Sequence, residues 1–185
     1  MEVTQEPGVE QNAFNFTRIG WVEMISTSIP EHCEDVKNNF LEAFKDVAGL
    51  SIVDAYACAM AAAIANMNGE LAFEIEMDPA MTGTEERTAV KTAVSIGALM
   101  ATHLDASDSL GDAETEFTLG EWKKTTTVDE VKVGMYVYAA AVALRSRPLI
   151  SEYATLLRAA GLNTDQLRAI VKIVAVTAAL NKIAI

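Results

Sequence analysis

From Ala55 to Ala65 the chain runs through eleven apolar residues, seven of them alanine, closed by Asp54 and Asn66. Alanine is the best helix former, so the stretch predicts a helix over about 55–67. It is far short of the roughly 20 apolar residues that a membrane-spanning helix needs. With 51% hydrophobic but only 6% aromatic residues, the core has to be built from Ala, Val, Leu, Ile and Met. Four prolines and ten glycines in 185 residues are too few for a turn-rich β fold. The length suits one domain with a real core. The expectation is an all-α domain over 13–185, preceded by a loose acidic segment, 1–12.

Other helices follow from spacing and punctuation. Ser28-Ile-Pro-Glu offers a helix start, and Val36, Phe40, Leu41 and Phe44 recur at helical intervals, predicting an amphipathic helix over about 30–46. Gly69 opens a short stretch to about Met77. Thr84 reads as an N-cap, with Glu85 and Glu86 suited to the dipole of a helix running to about His103. Residues 104–128 are acidic and then Thr-rich, and read as a surface connection. Helices resume over about 129–145 and 149–160. Gly161 ends the latter, and Thr164 reads as the cap of a last helix over 165–184.

Shifted by 80 residues, the chain matches itself without gaps over 56–103 and 136–183. Tyr56 falls on Tyr136, and Ala59, Ala61 and Ala63 fall on Ala139, Ala141 and Ala143. Thr84 falls on Thr164, Ala89 on Ala169 and Val94 on Val174. The pattern predicts two related helical units, about 30–103 and 129–185, joined by the acidic connection.

Charge excludes some partners. Fourteen Lys and Arg against 26 Asp and Glu leave a net charge of −12, which lacks the basic footprint of a nucleic-acid or anionic-membrane binder. The first basic residue is Arg18, after Glu2, Glu6 and Glu10, so the N-terminus does not read as a secretory signal. Cys33 and Cys58 match no zinc or CxxC spacing, which suits a reducing compartment. A cytoplasmic protein is expected.

The repeat and its flanks resemble the AhpD-like family of the alkylhydroperoxidase and carboxymuconolactone decarboxylase superfamily. The segment from Pro30 through Cys33 to Phe40 resembles the family's opening helix. Residues 56–103 resemble its first unit, and 138–179, with Leu156-Leu-Arg-Ala-Ala-Gly-Leu at their centre, its second. The resemblance implies trimers or hexamers. It also implies a dithiol site in the second unit: a Cys-x-x-Cys at a helix start, a His four residues later and a Glu twelve residues earlier. A helix N-terminus and a nearby base lower the pKa of the attacking thiol, and the second thiol resolves it. Here Ser146 and Leu149 stand at the cysteine positions, Tyr153 at the His and Gly134 at the Glu. No cysteine follows Cys58, so dithiol peroxidase chemistry is not supported.

The remaining constellations each have a plainer counterpart. Cys33 and Cys58 form either a second redox pair, giving an antioxidant peroxidase, or two ordinary buried cysteines. Glu31 and Glu34 dull Cys33. His32 and His103 lack metal-ligand spacing, and His103 reads as a helix-end cation. Asp105–Glu116 has the length of a calcium loop but Leu110 where the loop requires Gly. No metal and no cofactor are expected. Arg145 and Arg147 are candidates to bind a small anionic ligand, against ion pairing with Glu152. The apolar breadth of 90–101 and 167–180 predicts helices that a monomer would not cover, hence a homo-oligomer. The expected function is a degenerate AhpD-like binding or assembly protein. The alternative is an enzyme of the superfamily using Ser146, Tyr153, Arg145 and Glu152 in the old pocket.

Overall fold

The computed structural model describes residues 20–81, 83–110 and 127–183, without the side chains of 105–110. Among them are eight α-helices, two short 3-10 turns and no strand, as an all-α chain requires. The helices are α1 (Trp21–Ser28), α2 (Glu34–Lys45), α3 (Ile52–Ala65), α4 (Gly69–Glu76), α5 (Thr84–Leu110), α6 (Glu130–Leu144), α7 (Arg147–Ala159) and α8 (Thr164–Leu180). The 3-10 turns precede α2 and α5, at Glu31–Cys33 and Pro79–Met81.

The alanine run forms the centre. Nine successive residues of α3, from Ala55 to Ala63, are buried, and so are seven of α6, from Met135 to Ala141. α3 packs against α4, α5, α6 and α8, and α6 packs against α5, α7 and α8 as well. Small side chains let the axes come close. A Cβ added at Gly97 of α5 would lie 3.2 Å from the Cβ of Ala140 on α6, so α5 and α6 meet closely enough that a methyl there would crowd its neighbour.

Four of the aromatics form one cluster. Trp21 meets Phe40, Phe44 and Tyr56 edge-on, with centroids 5.1–5.5 Å apart. Such edge contacts suit the ring quadrupoles and add to the area buried. The Trp21 backbone N–H donates to Asp78 Oδ2 at 2.9 Å, pinning α1 to the turn before α5. Burial, and next the charge of Asp78, push the Tyr56 phenol up to about 12.

Several boundaries differ from the sequence reading. α1 was unforeseen: eight residues, rich in Ser and β-branched side chains, following a Gly20 with no capping side chain. It is held by the burial of Trp21 and Ile25 rather than by propensity. α5 continues to Leu110, so 104–110 is helix and not connection. Residues 111–126 of the connection, with the second half of the calcium-loop stretch, and the segment 1–12 lie outside the described residues. Thr84 and Thr164 are first helical residues rather than caps. α8 is capped by Asn163, whose side chain accepts from the Asp165 and Gln166 N–H groups while the Gln166 side chain accepts the Asn163 N–H. That reciprocal box satisfies donors which Thr164, one position later, would miss.

The order α3, α4, α5 recurs as α6, α7, α8. Ile52 and Glu130, the starts of the first pair, are 78 residues apart, as are Gly69 and Arg147; Thr84 and Thr164 are 80 apart. The broad apolar faces of α5 and α8 are used within the chain. Val90, Ala93, Val94, Ile170, Ile173 and Val174 are all buried, leaving Leu99 and Val171 as their exposed large apolar residues. Covering these helices therefore does not require a second copy. No helix of the described residues is long and apolar enough to cross a membrane.

Candidate functional site

The corner between α6 and α7 carries the positions singled out by the sequence. α6 ends when Arg145 enters the left-handed region at φ 62°. The Ser146 N–H then donates back to Ala141 O and the Arg145 N–H to Val142 O, both at 3.1 Å. This double closure ends a helix sharply. α7 starts at once, with Pro148 in its first turn, where a missing N–H costs nothing.

The corner is filled with hydrocarbon. Leu149 is 0% exposed and Ser146 is buried beside it in the chain. Gly134 and Tyr153 line one groove of about 320 Å³ together with Glu130, Val131, Leu156, Leu157 and Ala160. A Cβ at Gly134 would lie 3.3 Å from Leu157 Cδ2. The Tyr153 hydroxyl reaches Met100 Sδ at 3.8 Å. Burial, and next the charge of Glu152, raise its pKa, so it stays a neutral phenol. Arg145, Arg147 and Glu152 are exposed, and none of them lines this groove. The structure thus brings Gly134 and Tyr153 together and leaves the two arginines outside.

The cysteines lie elsewhere and are both free. Cys58 is buried in α3, its Sγ 4.0 Å from Met135 O. Burial, and next the charge of Asp54, push its thiol far up, which removes the thiolate that redox attack requires. Cys33 is half-buried at the start of α2. His32 is exposed. His103 lies inside α5, seven residues before its end, and not at a helix terminus.

A second constellation escaped the sequence reading. Tyr136, 0% exposed on α6, places its hydroxyl against Glu86 Oε1 of α5 and 3.3 Å from Asp54 Oδ1 of α3. Lys132, one turn earlier on α6, lies 3.0 Å from Asp54 Oδ1 and 3.9 Å from Glu86 Oε1. The Ser51 hydroxyl donates to Asp54 Oδ2 at 2.6 Å, and the Asp54 N–H donates back to Ser51 Oγ. Burial, and next the Glu86 hydrogen bond and charge, raise the Tyr136 phenol far above its usual value. Burial works against the Lys132 ammonium, but the hydrogen bond and charge of Asp54, with Glu86 and Asp129, outweigh it and raise its pKa. The phenol is therefore a donor and the amine a cation. The groups satisfy one another and bind three helices together. The available signal was polar residues beside alanine runs, Asp54 before one and Lys132 before the other.

Among the described residues no group of three or more His, Cys, Asp and Glu could hold a metal ion. No family model matches the chain, and no curated protein matches it.

Proposed function

We propose that this chain is an AhpD-like protein that has lost the dithiol site and acts as a non-peroxidatic binding protein, with a small apolar molecule held between α6 and α7. The observation that carries the reading is the groove itself. Gly134 and Tyr153, which by the resemblance stand at the family's Glu and His positions, meet in a mostly apolar groove of ligand size whose one charged lining residue is Glu130. Leu149 and Ser146, at the cysteine positions, are sealed beneath the corner. The apolar lining favours a neutral ligand over the anion that Arg145 and Arg147 suggested. A cytoplasmic setting belongs to this reading and is supported by the two free cysteines.

Two measurements test it. Peroxide turnover with dihydrolipoamide should not exceed buffer in the wild type. Turnover that disappears in C33S/C58S would move the active site to the N-terminal half and overturn the reading. An apolar fluorescent probe should bind saturably to the wild type and lose affinity in L156K. Leu156 is already exposed at the groove, so this change tests the groove without emptying the core.

A further inference from the structure

A second groove lies between α1, α4 and the end of α8, with a volume of about 480 Å³. Its apolar lining includes Ile25, Leu71 and Leu180, which belong to the buried core, and Phe73, which is 57% exposed. The Asn68 side chain donates to Asn181 Oδ1 at 2.6 Å and ties α4 to the end of α8. α4 and its ends also concentrate exposed apolar surface, because Met67, Phe73 and Met77 all belong to them. Scattered exposed apolar residues are ordinary; several along one short helix beside a groove are not.

The charged residues of this lining are both acidic. Glu70 and Glu74 lie one turn apart on α4 and both line the groove. Residues four apart on a helix are neighbours, and like charges there repel. Glu76, on the same helix, has Lys91 at 2.8 Å. Glu70 and Glu74 have no hydrogen-bond or ion-pair partner among the described residues. An apolar floor flanked by two uncompensated carboxylates is complementary to one kind of occupant.

We propose that this groove binds a small organic cation with an apolar body, its ammonium held by Glu70 and Glu74 and its hydrocarbon laid on Leu71, Leu180 and Phe73. Volume selects a small molecule, since 480 Å³ lies in the range of small-ligand sites. The Phe73 ring adds a surface that favours cations. This inference is independent of the family reading and of the α6–α7 groove.

The test titrates hexyltrimethylammonium into the full chain, followed by NMR, with hexanol and hexanoate as uncharged and anionic matches. The cation should shift Leu71, Phe73 and Leu180 resonances saturably. It should bind at least about tenfold more tightly than hexanol and weaken severalfold between about 0.02 M and about 0.5 M NaCl. In E70Q/E74Q, a surface change that preserves helix content, the advantage of the cation over hexanol should vanish. Failure of the cation to bind, equal binding of hexanol, shifts confined to other residues, or an unchanged preference in E70Q/E74Q would each overturn the proposal.

Discussion

Helix α6 presents two opposite faces to two different environments. At 100° per residue Lys132 and Tyr136 stack one above the other, while Gly134 points the other way. The Lys132–Tyr136 face meets α3 and α5 and carries a closed ionic cluster. The Gly134 face meets α7 and is mostly apolar, with Glu130 as the charged residue in its groove. A carboxylate in an alanine core is tolerated only where neighbouring helices supply donors, and around Asp54 they do: Ser51, Lys132 and Tyr136 converge there. The α6–α7 corner instead holds the buried Leu149, Gly134 and the neutral Tyr153 phenol. One face therefore acts as a joint, and the other carries the groove to which the proposed function assigns an apolar guest.

Removing packing at the corner should have the largest effect. Leu149→Ala empties a fully buried site and should cost about 2–5 kcal/mol in chemical denaturation. A cost under about 1 kcal/mol would mean that the corner is loosely packed and still shaped for a larger occupant. Tyr136→Phe attacks the opposite face. It removes the donor to Glu86 and should cost about 1–3 kcal/mol, because Glu86 loses a charge-assisted bond. A cost under about 0.5 kcal/mol would remove the hydroxyl from the polar joint.

Alkaline pH separates the faces without mutation. Tyr136, Lys132, Tyr56 and Cys58 all have folded pKa values raised above their ordinary ones. Below about pH 7.5 each is protonated in both states, and stability does not depend on these groups. Above that pH the unfolded chain releases their protons first, so it binds fewer protons than the native state and stability falls. The expected result is a decline beginning near about pH 8, with the thiol, and steepening above about pH 10. Tyr136→Phe should flatten the upper part and Leu149→Ala should leave the slope unchanged. A slope equally shallow in the wild type would remove Tyr136 from the buried cluster.

Legibility in the sequence followed the same division. Helices with strong local signals, such as α3 with its alanine run and α6 with Asp129 before it, stood out. α1 did not, because its stability comes from Trp21 meeting Phe40, Phe44 and Tyr56 across the fold, which no local window contains. The caps slipped by one residue for a related reason. Asn163 and Thr164 are both capping residue types, and only the Gln166 side chain decides between them. The Gly134–Tyr153 pairing followed from the resemblance, whereas the Asp54–Glu86–Tyr136 cluster joins three helices and has no sequence spacing to betray it. Arg145 and Arg147 stood out as cations in an acidic chain, but their exposure depends on how the corner turns.

That turn supplies the smallest and most discriminating prediction. Helices α3, α6 and α7 each end through a left-handed residue: Met67 at φ 61°, Arg145 at φ 62° and Gly161 at φ 102°. Gly161 takes this conformation freely, whereas Met67 and Arg145 carry a Cβ that crowds the backbone. Met67→Gly should therefore stabilise by up to about 1 kcal/mol, offset in part by the freedom glycine gains in the unfolded chain. In a domain of this size that is a rise of about 2–4 °C in Tm. Arg145→Gly should match it if the guanidinium does nothing but face water. A gain in Met67→Gly with a loss in Arg145→Gly would show that the Arg145 side chain holds something worth the strain. Anion binding at the corner would then displace the apolar-guest reading, and the two faces of α6 would both be polar sites.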